Sequence, residues 1–204
     1  MMCWKSSRLS TTRLFALAIL LLAASVFSGA IFAAGKTPPL PRDSLYQLTL
    51  PLTDQAGNTA DWGSRRGKPQ LVAMFYTSCK FICPLIVDSG KAIERQLDAK
   101  QQQKLGILLI SMDPKRDDPK ALKTVADKRK LDAKRWTLAS PPANDVRTVA
   151  GLLGIRYRLL SDGEFNHSSA MILLDANGRI LARTEKMGTQ PDPEFVAAVK
   201  KALR

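Results

Sequence analysis

The chain has 204 residues, enough for one ordinary domain with one sizeable core and too few for two. Its hydrophobic share of 45% and charged share of 24% are those of a globular protein. No internal repeat or low-complexity tract is present, which excludes a solenoid and a disordered chain. The net charge of +13 calls for an explanation in terms of surface or partner.

The first 35 residues read as a targeting segment. Lys5, Arg8 and Arg13 give a positive start, and residues 14–34 then run without a charge. That run is long enough to span a bilayer as a helix. Ser28-Gly-Ala30 also offers small residues suited to cleavage of a signal peptide, so a membrane anchor and a cleaved signal both remain open. Either way the rest of the chain is expected outside the cytoplasm: anchored in the inner membrane facing the periplasm, or soluble in the periplasm if the leader is cleaved. No cysteine follows the apolar run closely, so a lipid anchor is not expected. The leader takes three of the thirteen net charges and leaves +10 on the exported part. Export argues against nucleic acid as the partner. The basic residues between Lys115 and Arg135 suit anionic headgroups or an acidic protein surface, or simply a solvated face.

Residues 36–44 read as a linker before a domain over 45–204. Leu45 to Leu50 and Thr59 to Trp62 suggest a small hairpin. Pro69 to Tyr76 is almost continuously apolar and predicts a buried strand. Thr77 to Cys83 forms a loop, and Pro84 suits the first position of a helix. Ile86, Gly90, Ile93 and Leu97 mark one face of that helix, which is expected to reach Gln102. Leu105 to Ser111 is a second buried strand, so strand, helix and strand make a βαβ unit with parallel neighbours.

Asp118-Pro119 opens a helix to about Arg129, and Trp136 to Ala139 is a short strand. Asn144 or Asp145 is expected to cap a helix carrying Val146, Val149, Ala150 and Leu153. Met171 to Leu174 and Ile180 to Arg183 flank Ala176-Asn-Gly178 as a hairpin. Asp192-Pro193 caps a final amphipathic helix through Leu203. The sum is an α/β domain whose first strand-to-helix turn carries two cysteines.

Cys3 lies in the leader, which leaves Cys79 and Cys83 in a compartment that oxidises thiols. Disulfide stabilisation grows with loop length, so a pair this close gains little as a structural bond. Its spacing suits a reversible disulfide or a metal clamp. A helix start carries unpaired N–H groups and partial positive charge, which favour a thiolate, and Lys80 adds to this. The alternative is a pair of inert buried thiols. His167, the only histidine, stands just before the Met171 strand, which could bring it near the cysteine loop. Two thiolates and an imidazole form a soft three-ligand set. Structural zinc ordinarily takes four ligands and an iron–sulfur cluster about four cysteines. Copper(I) is satisfied by three, and copper(II) could recruit a water or carboxylate besides. Oxidation of Cys79 and Cys83 to each other removes both thiolates.

These residues resemble the SCO/SenC family of copper chaperones. Tyr76-Thr-Ser-Cys79-Lys-Phe-Ile-Cys83-Pro84 looks like the family's CxxxCP loop. Ser111-Met-Asp113-Pro114-Lys-Arg116-Asp117-Asp-Pro119 looks like its second signature, and Val149 to Tyr157 and His167 follow in the family's order. The resemblance covers about Leu45 to Arg204. It implies a thioredoxin-like fold, a central mixed sheet flanked by helices with extra hairpins. It implies a copper ion held by Cys79, Cys83 and His167. It further implies delivery of copper to, or thiol reduction at, the copper centre of a respiratory oxidase subunit, or exchange with another copper or thiol protein. Two departures stand out. Lys80-Phe81 replace the frequent Pro-Asp, and Asn166 replaces an acidic residue before the histidine. Both remove negative charge beside the site, which should weaken attraction for a copper cation and shift the redox balance.

Two functions use the same sulfurs. One is a metallochaperone without turnover. The other is a thiol–disulfide oxidoreductase, with Cys79 attacking and Cys83 resolving or the reverse. A peroxide-reducing enzyme would need one strongly activated cysteine, and no feature singles one out.

Overall fold

The structure, a computed structural model, describes residues 38–79 and 82–204, without the side chains of residues 82 and 83. The apolar run over 14–34 lies outside the described residues, among which no helix is long and apolar enough to cross a membrane. Contacts divide the chain into Met1–Pro38 and Pro39–Arg204, and the second unit is described below.

Ser44 accepts a hydrogen bond from the Tyr46 amide and turns Leu45–Gln47 into a short 3-10 helix. The strand expected over Leu45 to Leu50 therefore does not form there. It begins at Pro51, where a missing amide donor is tolerated at a strand start. Strand β1 (Pro51–Asp54) pairs antiparallel with β2 (Thr59–Asp61). The Asp54 carboxylate accepts from the Ala56 and Asn58 amides and fixes the turn between them.

Strand β3 (Gln70–Phe75) and strand β4 (Gly106–Ser111) are buried along their whole length and run parallel, from Gln70 opposite Gly106 to Phe75 opposite Ser111. Between them lie helix α1 (Ile82–Glu94) and helix α2 (Ala99–Lys104). Two expectations are corrected here. Helix α1 begins at Ile82, so Pro84 occupies its third position, still within the turn whose amides have no helical partner. The helix also does not run on to Gln102. Asp98 accepts from the Gln101 amide while the Gln101 side chain accepts from the Asp98 amide, a reciprocal cap that starts a new helix.

Helix α3 (Pro119–Lys128) is capped by Asp118 and followed by β5 (Trp136–Ser140). Helix α4 (Val146–Leu152) starts without the expected side-chain cap from Asn144 or Asp145. A 3-10 turn over Ala143–Asp145 leads straight into it, and Asp145 is already helical in its backbone. Strands β6 (Tyr157–Leu159) and β7 (Phe165–His167) form a separate two-stranded sheet. Strands β8 (Met171–Leu174) and β9 (Ile180–Thr184) make the expected hairpin, and α5 (Pro193–Ala202) ends the fold.

The main sheet has the order β2-β1-β5-β4-β3-β8-β9. Strands β3, β4 and β5 are parallel, while β8 runs antiparallel to β3 and to β9. The run β4-β3-β8-β9, with helical crossover α1–α2 and closing helix α5, is the thioredoxin-like arrangement. The β1–β2 hairpin extends the sheet, and β6–β7 is inserted ahead of β8.

Helix α1 packs on the Trp136 ring of β5 at Gly90. The Trp136 ring is buried there, and its Nε1 donates to Glu94 Oε2 at 2.8 Å. A Gly-to-Ala change in a helix ordinarily stabilises by about 1 kcal/mol. Here an added Cβ would lie 2.4 Å from Trp136 Cη2. Gly90→Ala is therefore expected to destabilise the domain by about 1–3 kcal/mol in urea unfolding, and an unchanged or raised midpoint would refute this packing.

Candidate metal and redox site

Three segments meet beyond the ends of β3 and β4: the loop after β3, the loop after β4, and the β6–β7 hairpin. Loops at the carboxyl ends of parallel strands are where an open α/β sheet offers a site. Tyr76 leaves β3 buried, and its carbonyl accepts from the Cys79 amide at 3.3 Å, closing a turn that sets the cysteine. Cys79 is half-buried and lines a cleft of about 170 Å³ with Phe75, Tyr76, Pro84, Val87 and Arg129. Cys83 lies four residues on, in the first turn of α1.

The loop after β4 locks the cysteine turn from below. Asp117 is fully buried, and its carboxylate accepts from the Thr77 amide at 3.1 Å, the Thr77 hydroxyl at 2.5 Å and the Ser111 hydroxyl at 2.5 Å. Burial pushes this carboxyl up, and the hydrogen bonds from Ser111 and Thr77 oppose the shift. The Ser111–Pro119 signature thus has a physical role, because its buried acid fixes the residue that follows Tyr76. Sequence reasoning noted the segment but assigned Asp117 no role. A buried acid is recognisable only once its burial is known.

Tyr76 also reaches across to the hairpin. Its hydroxyl donates to Glu164 Oε2 at 2.9 Å and accepts from the Phe165 amide at 3.4 Å. Its ring meets Phe165 edge-on at 5.2 Å and His167 at 5.8 Å between centroids. Such aromatic pairs are worth about 0.5–1.5 kcal/mol beyond the area they bury. Arg116 fastens the hairpin tip from the other side. It pairs with Asp113, donates to the Gly163 carbonyl at 2.7 Å and lies over the Phe165 ring at 5.9 Å.

His167 closes β7, opposite Tyr157. Its Nδ1 stands 3.0 Å from the Ser168 carbonyl, an oxygen that can only accept, so Nδ1 carries the proton and Nε2 the lone pair. Nε2 is buried and has no hydrogen-bond partner among the described residues. A buried unpaired acceptor is unfavourable in a fold unless something else uses it. An imidazole held by a backbone carbonyl through one nitrogen and open at the other is how histidine is presented to a metal.

The structure brings Cys79 and His167 to the same phenol. His167 touches the Tyr76 ring, and Cys79 is close enough to its phenol to help push the phenol's pKa up. Among the described residues no three His, Cys, Asp or Glu side chains are grouped to hold a metal, and the Cys83 side chain is not among them. Asn166, expected to make the site less negative, is exposed on β7 opposite Arg158.

The SCO1/SenC family model matches residues 42–204. The chain belongs to the SCO1/SenC family. A SCO1 protein homolog from Bacillus subtilis (strain 168) is 24% identical over 166 residues, covering 79% of this chain and 86% of that one. The structure of Bradyrhizobium japonicum ScoI with copper bound superposes with a TM-score of 0.63 at 25% identity, over 75% of this chain and 96% of that one. A SCO1/SenC family lipoprotein from Bacillus anthracis str. Ames gives a TM-score of 0.68 at 19% identity, covering 77% and 94%. The SCO1/SenC fold of this chain is thus thioredoxin-like, with the β6–β7 insertion carrying its only histidine.

Burial pushes the Tyr76 phenol well up. The hydrogen bond to Glu164 and the neighbouring Cys79 push the same way, and the Phe165 amide opposes them. An acid whose folded value is raised stabilises the fold fully below its unfolded value and loses that contribution as pH rises through the folded value. Near pH 10, where an ordinary tyrosine is half ionised, wild type minus Tyr76→Phe should show no phenolate absorbance. At neutral pH Tyr76→Phe should destabilise by about 1–3 kcal/mol. That gap should close only above pH ~10. A phenolate midpoint at the ordinary value would contradict the latch.

Proposed function

We propose that this domain is a copper metallochaperone that holds a copper ion on Cys79, Cys83 and His167. In this reading it delivers the ion to, or reduces the cysteines of, the copper centre of a respiratory oxidase. The observation that carries it is His167: Nδ1 fixed on the Ser168 carbonyl, Nε2 buried without a partner, and the ring packed on the tyrosine that also contacts Cys79. Two thiolates and one imidazole are a donor set that suits copper(I). The copper-bound Bradyrhizobium structure, at 25% identity, supports the cargo. The working place of the domain in this reading is the periplasmic side of the inner membrane, with residues 14–34 as anchor or cleaved leader.

A second reading, a thiol–disulfide oxidoreductase without obligatory copper, is favoured by the placement of the pair. Cys79 lines a cleft, and Cys83 sits in the first turn of a helix, where unpaired amides stabilise a thiolate. His167 separates the two. In an anaerobic copper(I) titration of the reduced protein against a competing chelator, His167→Ala should weaken binding by at least about tenfold. Its rate of reducing a partner disulfide should change much less. Unchanged copper affinity would remove His167 from the site, and full reduction of the partner disulfide by that variant alongside unchanged copper affinity would favour the second reading.

A further inference from the structure

The parallel strands start at the end of the sheet opposite the cysteine loop, where Gln70 pairs with Gly106 and Ile107 with Trp136. The chain enters the domain at this end. Leu174 pairs with Gln70, which puts the turn between β8 and β9 here. The Leu45 amide donates to the Gly178 carbonyl of that turn at 2.9 Å, and the Ser44 hydroxyl donates to the Asn177 carbonyl. In the sequence, ten residues lead from Ala34, the last of the apolar run read as anchor or leader, to Ser44. Fully extended, they reach about 35 Å.

The same end gathers positive charge. A hollow of about 400 Å³ is lined by Lys68, Gln103, Lys104 and Arg204, with no acidic side chain in its wall. Lys104 Nζ donates to the Leu203 and Arg204 carbonyls at 3.1 and 3.2 Å, which ties the end of α2 to the end of α5. Lys100 precedes Lys104 by one turn on α2, and Lys201 lies in the last turn of α5; both are exposed. The side chains of Lys68, Lys100, Lys201 and Arg204 have no carboxylate partner among the described residues. Burial pushes the half-buried Lys68 ammonium down, and Arg135 and Arg65 push it the same way. The acids of this end are engaged: Glu94 and Asp132 by Arg135, Asp98 by the Gln101 amide, Asp175 by the Asn177 and Arg179 amides, and Asp43 by Arg179.

We propose that this end of the domain, through Lys68, Lys100, Lys104, Lys201 and Arg204, docks on an anionic phospholipid surface and so turns the cysteine loop away from the bilayer. Four of the five cations are lysines, compact charges on flexible stems that suit a diffuse field of headgroups better than a fixed carboxylate. Protein interfaces are depleted in lysine and built around aromatic and apolar anchors, and the hollow offers no aromatic side chain. An anionic bilayer attracts Lys and Arg only close to its surface, and the chain enters the domain at the end where these side chains lie. Six residues of strand, roughly 16 Å, separate Gln70 from Phe75, so a bilayer seated here leaves the opposite end open to exchange.

The test reconstitutes the full-length protein, without added metal, into phosphatidylcholine nanodiscs with and without phosphatidylglycerol. Lysine acetylation is then followed residue by residue by mass spectrometry. At low salt Lys68 and Lys104 should react at least about threefold more slowly in the anionic discs. Lys115 and Lys120, at the opposite end, should react equally in both. The difference should vanish in about 1 M salt, where screening leaves attraction only at contact. Lys100→Glu with Lys201→Glu should abolish the protection of Lys68 and Lys104, whereas Lys115→Glu with Arg158→Glu should leave it unchanged. Equal rates at Lys68 and Lys104 in the two discs overturn the proposal, as does protection of Lys115 and Lys120 instead. So does protection of Lys68 and Lys104 by soluble polyglutamate but not by anionic lipid, which would mark a protein-binding face. No metal or thiol step enters any of these outcomes, so failure here leaves the proposed function to its own test.

Discussion

The candidate site depends on the reach of one side chain. Tyr76 ends a buried strand, holds the Cys79 turn through its carbonyl, and grips the β6–β7 hairpin through its hydroxyl and its ring. Glu164 lies 88 residues further along the chain. A contact so distant in sequence is entropically expensive to form from an unfolded chain. The rigid sheet provides it by fixing β3, and Asp117 then fixes Thr77 immediately after. The hairpin itself is too short to stand alone, since two three-residue strands have little stability in water. Tyr76 and Arg116 make it a defined support for His167.

Much of this was readable from the sequence, for identifiable reasons. PQLVAMFY and LGILLIS are apolar runs of strand length, so β3 and β4 and their parallel pairing follow from burial. The cysteine pair was legible because a strand, a short loop and a proline-bearing helix start surround it. The break at Asp98 was not, because an apolar spacing that reaches Leu97 gives no sign that Asp98 and Gln101 will cap each other. The 3-10 turn at Leu45 was missed for a similar reason: Ser44 acts on the amide two residues ahead, a local competitor that the strand pattern conceals.

His167 marks the limit of sequence reading. Tyr157-Arg-Leu and Phe165-Asn-His alternate sides, but three residues are too few to separate a strand from a loop. The family resemblance implied the histidine as a ligand, and the structure adds a feature that fits that proposal: Nδ1 held by the Ser168 carbonyl and Nε2 buried without a partner among the described residues. The strong positive charge also gains a location. Part of it is held in ion pairs such as Arg135 with Glu94 and Arg129 with Asp88, while Arg156, Arg158 and Lys115 remain unpaired around the hairpin among the described residues.

The central claim is that Tyr76 presents the His167 Nε2 to the same ion that the two cysteines hold. X-ray absorption of the reduced protein loaded with one equivalent of copper(I) tests it most directly. The account predicts two sulfur neighbours and one imidazole nitrogen, with the nitrogen signal lost in His167→Ala. A copper environment built of sulfur alone, or one unchanged by that substitution, would contradict it.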